Sequence, residues 1–171
     1  MRNTRQSVPQ LQFVTFRLGR EEFGLDVFSV HEVLRHQEVT PVPRAPEFVE
    51  GVIDVRGALV PVVDLRRRFE LPHAPIDSDT RIVLVEFGGE RLGLVVDAVT
   101  EVLRVPETAV SPPPQYIRGL AAEFVRGVIR REARLIVLID IDRILSTQER
   151  IALEETVLTP AGAEPGAADV G

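Results

Sequence analysis

Short apolar runs separated by glycine-containing turns make up most of the chain. Residues 13–18 are rich in β-branched and aromatic side chains, which favour strands, and a turn separates them from a second run at residues 23–27. Arg56–Gly57 separates a similar pair of runs at residues 52–55 and 59–63. This pattern predicts hairpins, and hairpins of this length are typical of small β-barrels rather than of an α/β sheet.

Two features interrupt the strands. Pro61 lies within the run at residues 59–63 and has no N–H to donate, so we expect that strand at a sheet edge or at a bulge. Residues 64–69 follow the strand and predict one short helical turn.

The spacing of apolar residues changes near the C-terminus. Ser146 and Glu149 have the spacing of a helix capping box, which predicts a helix over residues 146–158. Residues 159–171 are rich in alanine, glycine and proline, and we expect them to be disordered, as we do residues 1–10.

The chain contains an internal repeat. Residues 14–35 align with residues 83–104 without a gap, at an offset of 83 − 14 = 69. Residues 48–53 then align with residues 124–129 at an offset of 124 − 48 = 76, so the second copy carries 76 − 69 = 7 extra residues. The extra residues fall around the proline-rich stretch 112–120. The repeat therefore predicts two related subdomains.

The predicted fold is mainly β, with two tandem five-stranded small barrels, short helical turns and a C-terminal helix. The predicted organisation is a disordered segment (1–10), a first barrel with its connector (11–79), a second barrel (80–145), a helix (146–158) and a disordered tail (159–171).

Composition narrows the range of functions. The 171 residues carry 20 basic and 26 acidic side chains, a net charge of −6, and a chain of this charge is poorly suited to bind nucleic acid. Lysine and cysteine are both absent, which excludes lysine Schiff bases, thiol nucleophiles and disulfides. The apolar runs are strand-sized and the N-terminus lacks a signal-peptide core, so we expect a cytoplasmic protein without membrane insertion.

Candidate catalytic and metal-binding groups are sparse. His31 and His36 are five residues apart on a predicted strand, where they would point to opposite faces, so we predict no metal site and no cofactor. The serines and glycines fit no nucleophile or phosphate-loop motif. Arg66–Arg68 is the one basic cluster, and we interpret it as a solvated helical turn. We therefore predict a non-enzymatic binding module.

Several stretches of the first copy resemble the chemotaxis coupling protein (CheW) family. They are Phe13-Val-Thr-Phe-Arg-Leu-Gly19, Phe23-Gly-Leu-Asp-Val27 and Val30-His-Glu-Val-Leu34. The most diagnostic block is Pro46-Glu-Phe-Val-Glu-Gly-Val-Ile-Asp-Val-Arg-Gly57, followed by Leu59-Val-Pro-Val-Val-Asp-Leu65.

The second copy is similar at Gly93-Leu-Val-Val-Asp97 and Val99-Thr-Glu-Val-Leu103, and the resemblance extends over residues 11–157. It implies two small barrels side by side with a hydrophobic groove between them.

The resemblance also implies the partners of the protein. Such a protein is a scaffold that couples the cytoplasmic tip of a chemoreceptor (a methyl-accepting chemotaxis protein) to the regulatory domain of the histidine kinase CheA. It would be recruited to membrane-associated receptor arrays, with ring-like self-association as a further expectation. The kinase contact would fall mainly on the second barrel, at residues that the resemblance does not identify.

The receptor-binding positions can be carried over residue by residue. Glu32 and Arg56 match an ion pair near the receptor-binding surface, and Gly51 and Gly57 match positions of tight backbone. Valines match the groove positions in both copies: Val30, Val33, Val99 and Val102.

One departure from the family bears on this site. Asp54 and Val55 stand where the family commonly has Asn-Leu, and Asp54 is close enough in sequence to compete with Glu32 for the Arg56 guanidinium. Two simpler interpretations stay open: the ion pair only closes a hairpin, and Val30 and Val99 are only core residues.

Three alternative functions can be stated. The first is an equivalent adaptor in a chemosensory-like pathway that controls surface motility, development or second-messenger output. The second is an enzyme with a carboxylate site, and the third is a nucleic-acid-binding barrel pair, which the net charge disfavours.

Overall fold

The computed structural model describes residues 8–45, 47–72, 74–114 and 123–144. The predicted C-terminal helix and tail lie outside these residues. The predicted disordered segment 1–10 is wrong at its end, because the first strand begins at Gln10 and the Pro9 carbonyl accepts a hydrogen bond from the Glu107 N–H at 2.8 Å.

The described residues form eleven strands and one short α-helix. In chain order they are β1 (Gln10–Leu18), β2 (Glu21–Asp26), β3 (Val30–Arg35), β4 (Val49–Val55), β5 (Ala58–Asp64), α1 (Leu65–Arg68), β6 (Arg81–Phe87), β7 (Glu90–Val96), β8 (Ala98–Pro106), β9 (Val110–Ser111), β10 (Val125–Arg131) and β11 (Arg134–Ile139). Single 3₁₀ turns occur at Val27–Ser29, Glu107–Ala109 and Ile141–Arg143.

The strands form two sheets, so the prediction of a mainly β fold is confirmed. One sheet has the strand order β8-β1-β2-β11-β10-β9 and the other has the order β3-β6-β7-β5-β4. The first sheet has a sixth strand beyond the five that we predicted, because the two-residue β9 pairs with β10.

The two copies of the repeat exchange strands. The β1–β2 hairpin of the first copy pairs with β8 and β11 of the second copy, and the β6–β7 hairpin pairs with β3 and β5 of the first. Each sheet is therefore assembled from both copies. The predicted division into a barrel over residues 11–79 and a barrel over residues 80–145 is wrong for the sheets, because sequence similarity identifies related strands but not their hydrogen-bonding partners.

Three apolar clusters hold the sheets together. One cluster is built from the five-stranded sheet and includes Ile53, Val62 and Leu84. A second contains residues of the six-stranded sheet, such as Phe13 and Leu138. The third takes residues from both sheets, and we call it the intersheet core. Its larger members include Phe16, Phe23, Leu25, Val63, Leu65, Phe69, Val83, Val85, Leu94 and Phe124.

The strand that contains Pro61 is not at a sheet edge. β5 lies between β7 and β4, so the edge alternative is wrong. A bulge does occur close to the proline, where the β4–β5 register shifts between Val49 and Gly51, opposite Val63 and Val62. The parallel pairing of β5 with β7 begins only at Val62, one residue after the proline. The missing N–H is therefore tolerated at the end of that ladder.

The basic cluster on α1 is mostly packed against the protein. Arg66 is only 3% exposed, and Arg68 places its guanidinium carbon 5.2 Å from the centre of the Phe124 ring. Only Arg67 matches the predicted solvated turn; for Arg66 and Arg68 that prediction is wrong, because both guanidinium groups find partners within the fold.

Arg66 belongs to a hydrogen-bond network that connects the two sheets. Its guanidinium pairs with Asp64 and with Asp97, at an Nη1–Oδ1 distance of 3.0 Å, and also donates to the Ala74 carbonyl. The second oxygen of Asp97 accepts a hydrogen bond from the Gly19 N–H in the β1–β2 turn at 2.6 Å. Burial lowers the pKa of Arg66, but the hydrogen bond and charge of Asp64, with further acids, outweigh it, so the pKa is raised.

No helix among the described residues is long and apolar enough to cross a membrane.

Candidate docking surface

The structure brings Glu32 and Arg56 together as a two-point ion pair. Arg56 Nη2 donates to Glu32 Oε1 at 2.5 Å, and Nη1 donates to Oε2 at 3.3 Å. Glu32 lies on β3, at one edge of the five-stranded sheet, and Arg56 lies in the turn between β4 and β5, at the other. The pair therefore connects the two edges of the sheet and keeps a 65% exposed guanidinium in a fixed orientation.

The β4–β5 turn fixes the backbone of Arg56. Arg56 and Gly57 have φ angles of 50° and 89°, the left-handed region that a two-residue hairpin turn requires. Asp54 Oδ1 accepts a hydrogen bond from the Gly57 N–H at 2.7 Å. Asp54 therefore stabilises the turn that presents Arg56, and it leaves the guanidinium to Glu32.

The ion pair shifts the pKa values of both partners. The hydrogen bond from Arg56 lowers the pKa of Glu32 more than the modest burial of the carboxylate raises it. The same hydrogen bond and the charge of Glu32 raise the pKa of Arg56. Both side chains therefore stay charged across the neutral range, which makes the pair a constant polar feature.

A bulge at His31 places Val30 and Val33 on one face of the sheet. Strict alternation would put residues three apart on opposite faces. The register shifts between Val30 and Glu32, so that Val30 pairs with Val85 and Val33 pairs with Val83. Side chains of paired residues share a face, and both partners belong to the intersheet core.

The second copy uses the same device. The β1–β8 register shifts at Thr100, so that Val99 pairs with Phe16 and Val102 pairs with Val14. The predicted valine pairs are thus each brought to one face of their strand. The two inner valines, Val30 and Val99, both pack against the intersheet core.

The outer valines are open to solvent. Val33 is 39% exposed and Val102 is 59% exposed, although both lie on the faces that lead to the intersheet core. Each valine pair therefore extends that core outward as an accessible apolar surface, which is the kind of surface that a partner's apolar side chains cover. We refer to Val30, Val33, Glu32 and Arg56 as the β3 surface.

Gly51 occupies a tight backbone position, as the resemblance implied. Its φ is +155°, and a β-carbon added there would lie 2.2 Å from the Thr40 carbonyl oxygen. The close approach allows the backbone hydrogen bonds between Thr40 and Val52, which connect the segment that follows β3 to β4. Gly51 therefore fixes the backbone of β4 against the segment that follows β3.

Sequence reasoning missed a second ion cluster, on the six-stranded sheet. Arg134 donates to Glu22 Oε2 at 2.5 Å and to Glu101 Oε2 at 3.0 Å, and the hydrogen bonds from the two acids raise its pKa. The repeat relates Glu101 to Glu32, which was a usable signal. It relates Arg56 to Glu132, so the position of the second arginine could not be found in this way.

The described residues contain no group of three histidine, aspartate or glutamate side chains that could hold a metal ion. The features that the structure brings together are oriented ion pairs and exposed apolar strand faces on two related sheets. These features define a protein-binding scaffold.

Comparison with known proteins identifies the family of this scaffold. The model of the CheW-like domain family matches residues 12–149. A chemotaxis protein CheW of Treponema pallidum is 35% identical over 144 residues, which cover 82% of this chain and 85% of that protein. Protein FrzA of Myxococcus xanthus is 34% identical over 151 residues, 86% of this chain and 93% of its own.

A crystal structure agrees with this assignment. The scaffolding protein TtCheW of Thermoanaerobacter tengcongensis matches with a TM-score of 0.76 and 36% identity, over 82% of this chain and 96% of that one. The chain belongs to the CheW-like domain family. It is a non-enzymatic scaffold of chemotaxis signalling.

Proposed function

We propose that the chain couples the cytoplasmic tip of a methyl-accepting chemoreceptor to the regulatory domain of the histidine kinase CheA. The receptor tip docks on the β3 surface, with the Val99–Val102 face of β8 extending the same groove. Gly51 and Gly57 shape the backbone of this site. The protein acts in the cytoplasm at membrane-associated receptor arrays.

Two features of β3 carry this proposal: the Val30–Val33 face, and the Arg56 guanidinium that Glu32 of the same strand holds. A receptor tip is a helical hairpin, and a helix docks by laying an apolar stripe on an apolar surface. Glu32 takes two of the five guanidinium N–H donors, which leaves others for an acidic group of the partner. The surface therefore suits a helix with an apolar stripe and a neighbouring acid.

The kinase domain needs a surface that the receptor leaves free. The remote strands of the six-stranded sheet, β10 and β11, provide one, and they belong to the second copy of the repeat. A shallow groove there lies between the β1–β2 and β10–β11 hairpins and includes Leu135 and Val137. Contacts on both sheets would also allow ring-like self-association of the protein with neighbouring copies or with the kinase domain.

The Arg56→Ala variant tests the receptor site. We expect it to weaken binding to a purified receptor tip about tenfold, measured by calorimetry, because it removes the oriented donors. Arg143→Ala is the matched control, since Arg143 also pairs with a carboxylate, that of Asp140, and is 63% exposed, but it lies outside both proposed docking surfaces. Equal losses in both variants, or no loss with Arg56→Ala, would contradict the assignment.

A second candidate is the equivalent adaptor of a related chemosensory pathway. Protein FrzA is 34% identical to this chain, close to the 35% of the chemotaxis protein of Treponema pallidum, and this similarity supports the second candidate. Deletion of the gene separates the two: loss of ring spreading in soft agar with normal surface spreading supports the chemotaxis role, and the reverse pattern supports the other pathway.

A further inference from the structure

One aromatic side chain, just before β3 in the chain, is almost fully exposed to solvent. Phe28 is 92% exposed and belongs to the 3₁₀ turn Val27–Ser29, which leads directly into β3 at Val30. The turn lies beside both β1 and β6, so it is located where the two sheets meet. Phe28, Val30 and Val33 thus form a short apolar stretch at the edge of the intersheet core.

The backbone of the turn is held in place by two neighbours. Asp26 Oδ1 accepts a hydrogen bond from the Phe28 N–H at 2.9 Å, and Asp26 Oδ2 pairs with Arg126 Nη1 at 3.3 Å. The Arg126 guanidinium carbon lies 5.9 Å from the centre of the Phe13 ring. The exposed phenyl group is therefore carried by a backbone that is already ordered, which lowers the entropy lost when a partner binds it.

The repeat-related position is entirely different. Residue 28 corresponds to residue 97 at the offset of 69, and Asp97 is bound by Arg66 and by the Gly19 N–H. The turn that precedes β3 is thus apolar and open, whereas the turn that precedes β8 is charged and closed. Because the copies exchange strands symmetrically, a partner meets two related valine faces, and these turns distinguish them.

We propose that Phe28 is a receptor-contacting residue that directs the helical receptor tip to the β3 surface and sets its orientation there. The inference rests on the proposed function, because it takes the receptor tip as the occupant. Phe28 packs against the apolar stripe of the receptor helix, in continuity with Val30 and Val33. The turn at Asp97 offers no exposed aromatic side chain, because its carboxylate is held by Arg66 and the Gly19 N–H, so the reversed placement lacks this contact.

Phe28→Asp and Phe28→Leu test the proposal in calorimetric titrations of the full chain with a purified receptor tip. We expect Phe28→Asp to weaken binding about tenfold and Phe28→Leu to stay within about threefold of the unsubstituted protein. Ile76→Asp is the matched control, because Ile76 is also an exposed apolar residue, at 55%, and lies in the connector before β6. Both positions are exposed, so thermal unfolding should change little.

The outcomes separate this proposal from the one on which it rests. Loss with Phe28→Asp, retention with Phe28→Leu and no effect of Ile76→Asp would support it. Normal binding by Phe28→Asp together with weakened binding by Arg56→Ala would overturn the role of Phe28 and leave the receptor site standing. Equal losses for Phe28→Asp and Ile76→Asp would also overturn it, as a general charge effect. Normal binding by Arg56→Ala and Phe28→Asp would overturn both proposals.

Discussion

Glu32 and Glu101 occupy the same position in the two copies of the repeat, but each pairs with an arginine from a different place. Arg56 comes from the centre of the β4–β5 turn, and its guanidinium faces solvent with a single carboxylate as partner. Arg134 comes from the first position of β11 and is shared between Glu22 and Glu101. Both pairs connect distant strands of a sheet, yet the first leaves more of its arginine exposed, 65% against 42%.

The surroundings of the two pairs differ in charge. Arg91 acts electrostatically on Glu32 and itself pairs with Glu86, so the first group of Glu32, Arg56, Arg91 and Glu86 sums to −1 + 1 + 1 − 1 = 0. The second group, which contains Arg134 and two glutamates, sums to +1 − 1 − 1 = −1.

The repeated backbone is therefore retained while the charge around the two ion pairs differs. Strand pairing and core packing require only apolar residues in the right order, whereas a binding partner interacts with the charges that face solvent. Two related sheets can in this way present different surfaces.

Removal of the Arg66 guanidinium should have the largest effect. Arg66→Ala leaves the buried Asp64 and the partly buried Asp97 without their partner, so we expect a loss of about 3–5 kcal/mol in the free energy of unfolding, measured with urea. The repeat-related control is Asp142→Ala, where an exposed side chain is removed and about 0.5 kcal/mol or less is expected. Similar losses at both positions would contradict a special stabilising role for the Arg66 guanidinium.

Alanine substitutions at the repeat-related glycines, Gly51 and Gly127, should lower the free energy of unfolding by different amounts. Gly51→Ala requires both a disfavoured φ and a shift of the Thr40 carbonyl, so we expect a loss of about 3 kcal/mol. Gly127→Ala brings the β-carbon 2.8 Å from the Ser111 carbonyl oxygen without a positive φ, and about 1–2 kcal/mol is expected. Denaturant titrations of both variants give the comparison, which fails if Gly127→Ala proves the more costly.

A carboxylate on each outer valine should affect different steps. Val33→Asp should weaken receptor-tip binding about tenfold, because it places a charge inside the proposed helix contact. Val102→Asp should have a smaller effect on that binding, of about threefold, and should impair kinase activation in reconstituted arrays. Normal kinase activation with Val102→Asp would contradict the placement of β8 in the proposed receptor groove.

Acid should affect the Glu32–Arg56 ion pair only below neutral pH. The pKa of Glu32 is lowered from its ordinary value of 4.5, so the pair contributes above that value and is lost as the pH falls through the lowered pKa. We therefore expect receptor-tip binding to be constant above about pH 5.5. A decline between about pH 7 and 6 would indicate a histidine instead.

Much of the fold could be predicted from local pattern. The repeat offsets of 69 and 76 match the strands of the two copies. The hairpin turn predicted at Arg56–Gly57 is observed between β4 and β5. Glu32 and Arg56 were paired on the resemblance, and the structure gives that pairing its geometry. These features depend on residues that are near each other in the chain or that share a position in the repeat.

The amino-acid sequence by itself determined the strands, their turns and their duplication, because hairpin turns and apolar periodicity act over a few residues. Only the tertiary structure decided which hairpin joins which sheet, since a strand of either copy offers the same hydrogen bonds to either partner. Tertiary structure also decided that bulges at His31 and Thr100 bring the valines to one face, that Arg66 is buried, and that Phe28 is exposed where Asp97 is enclosed.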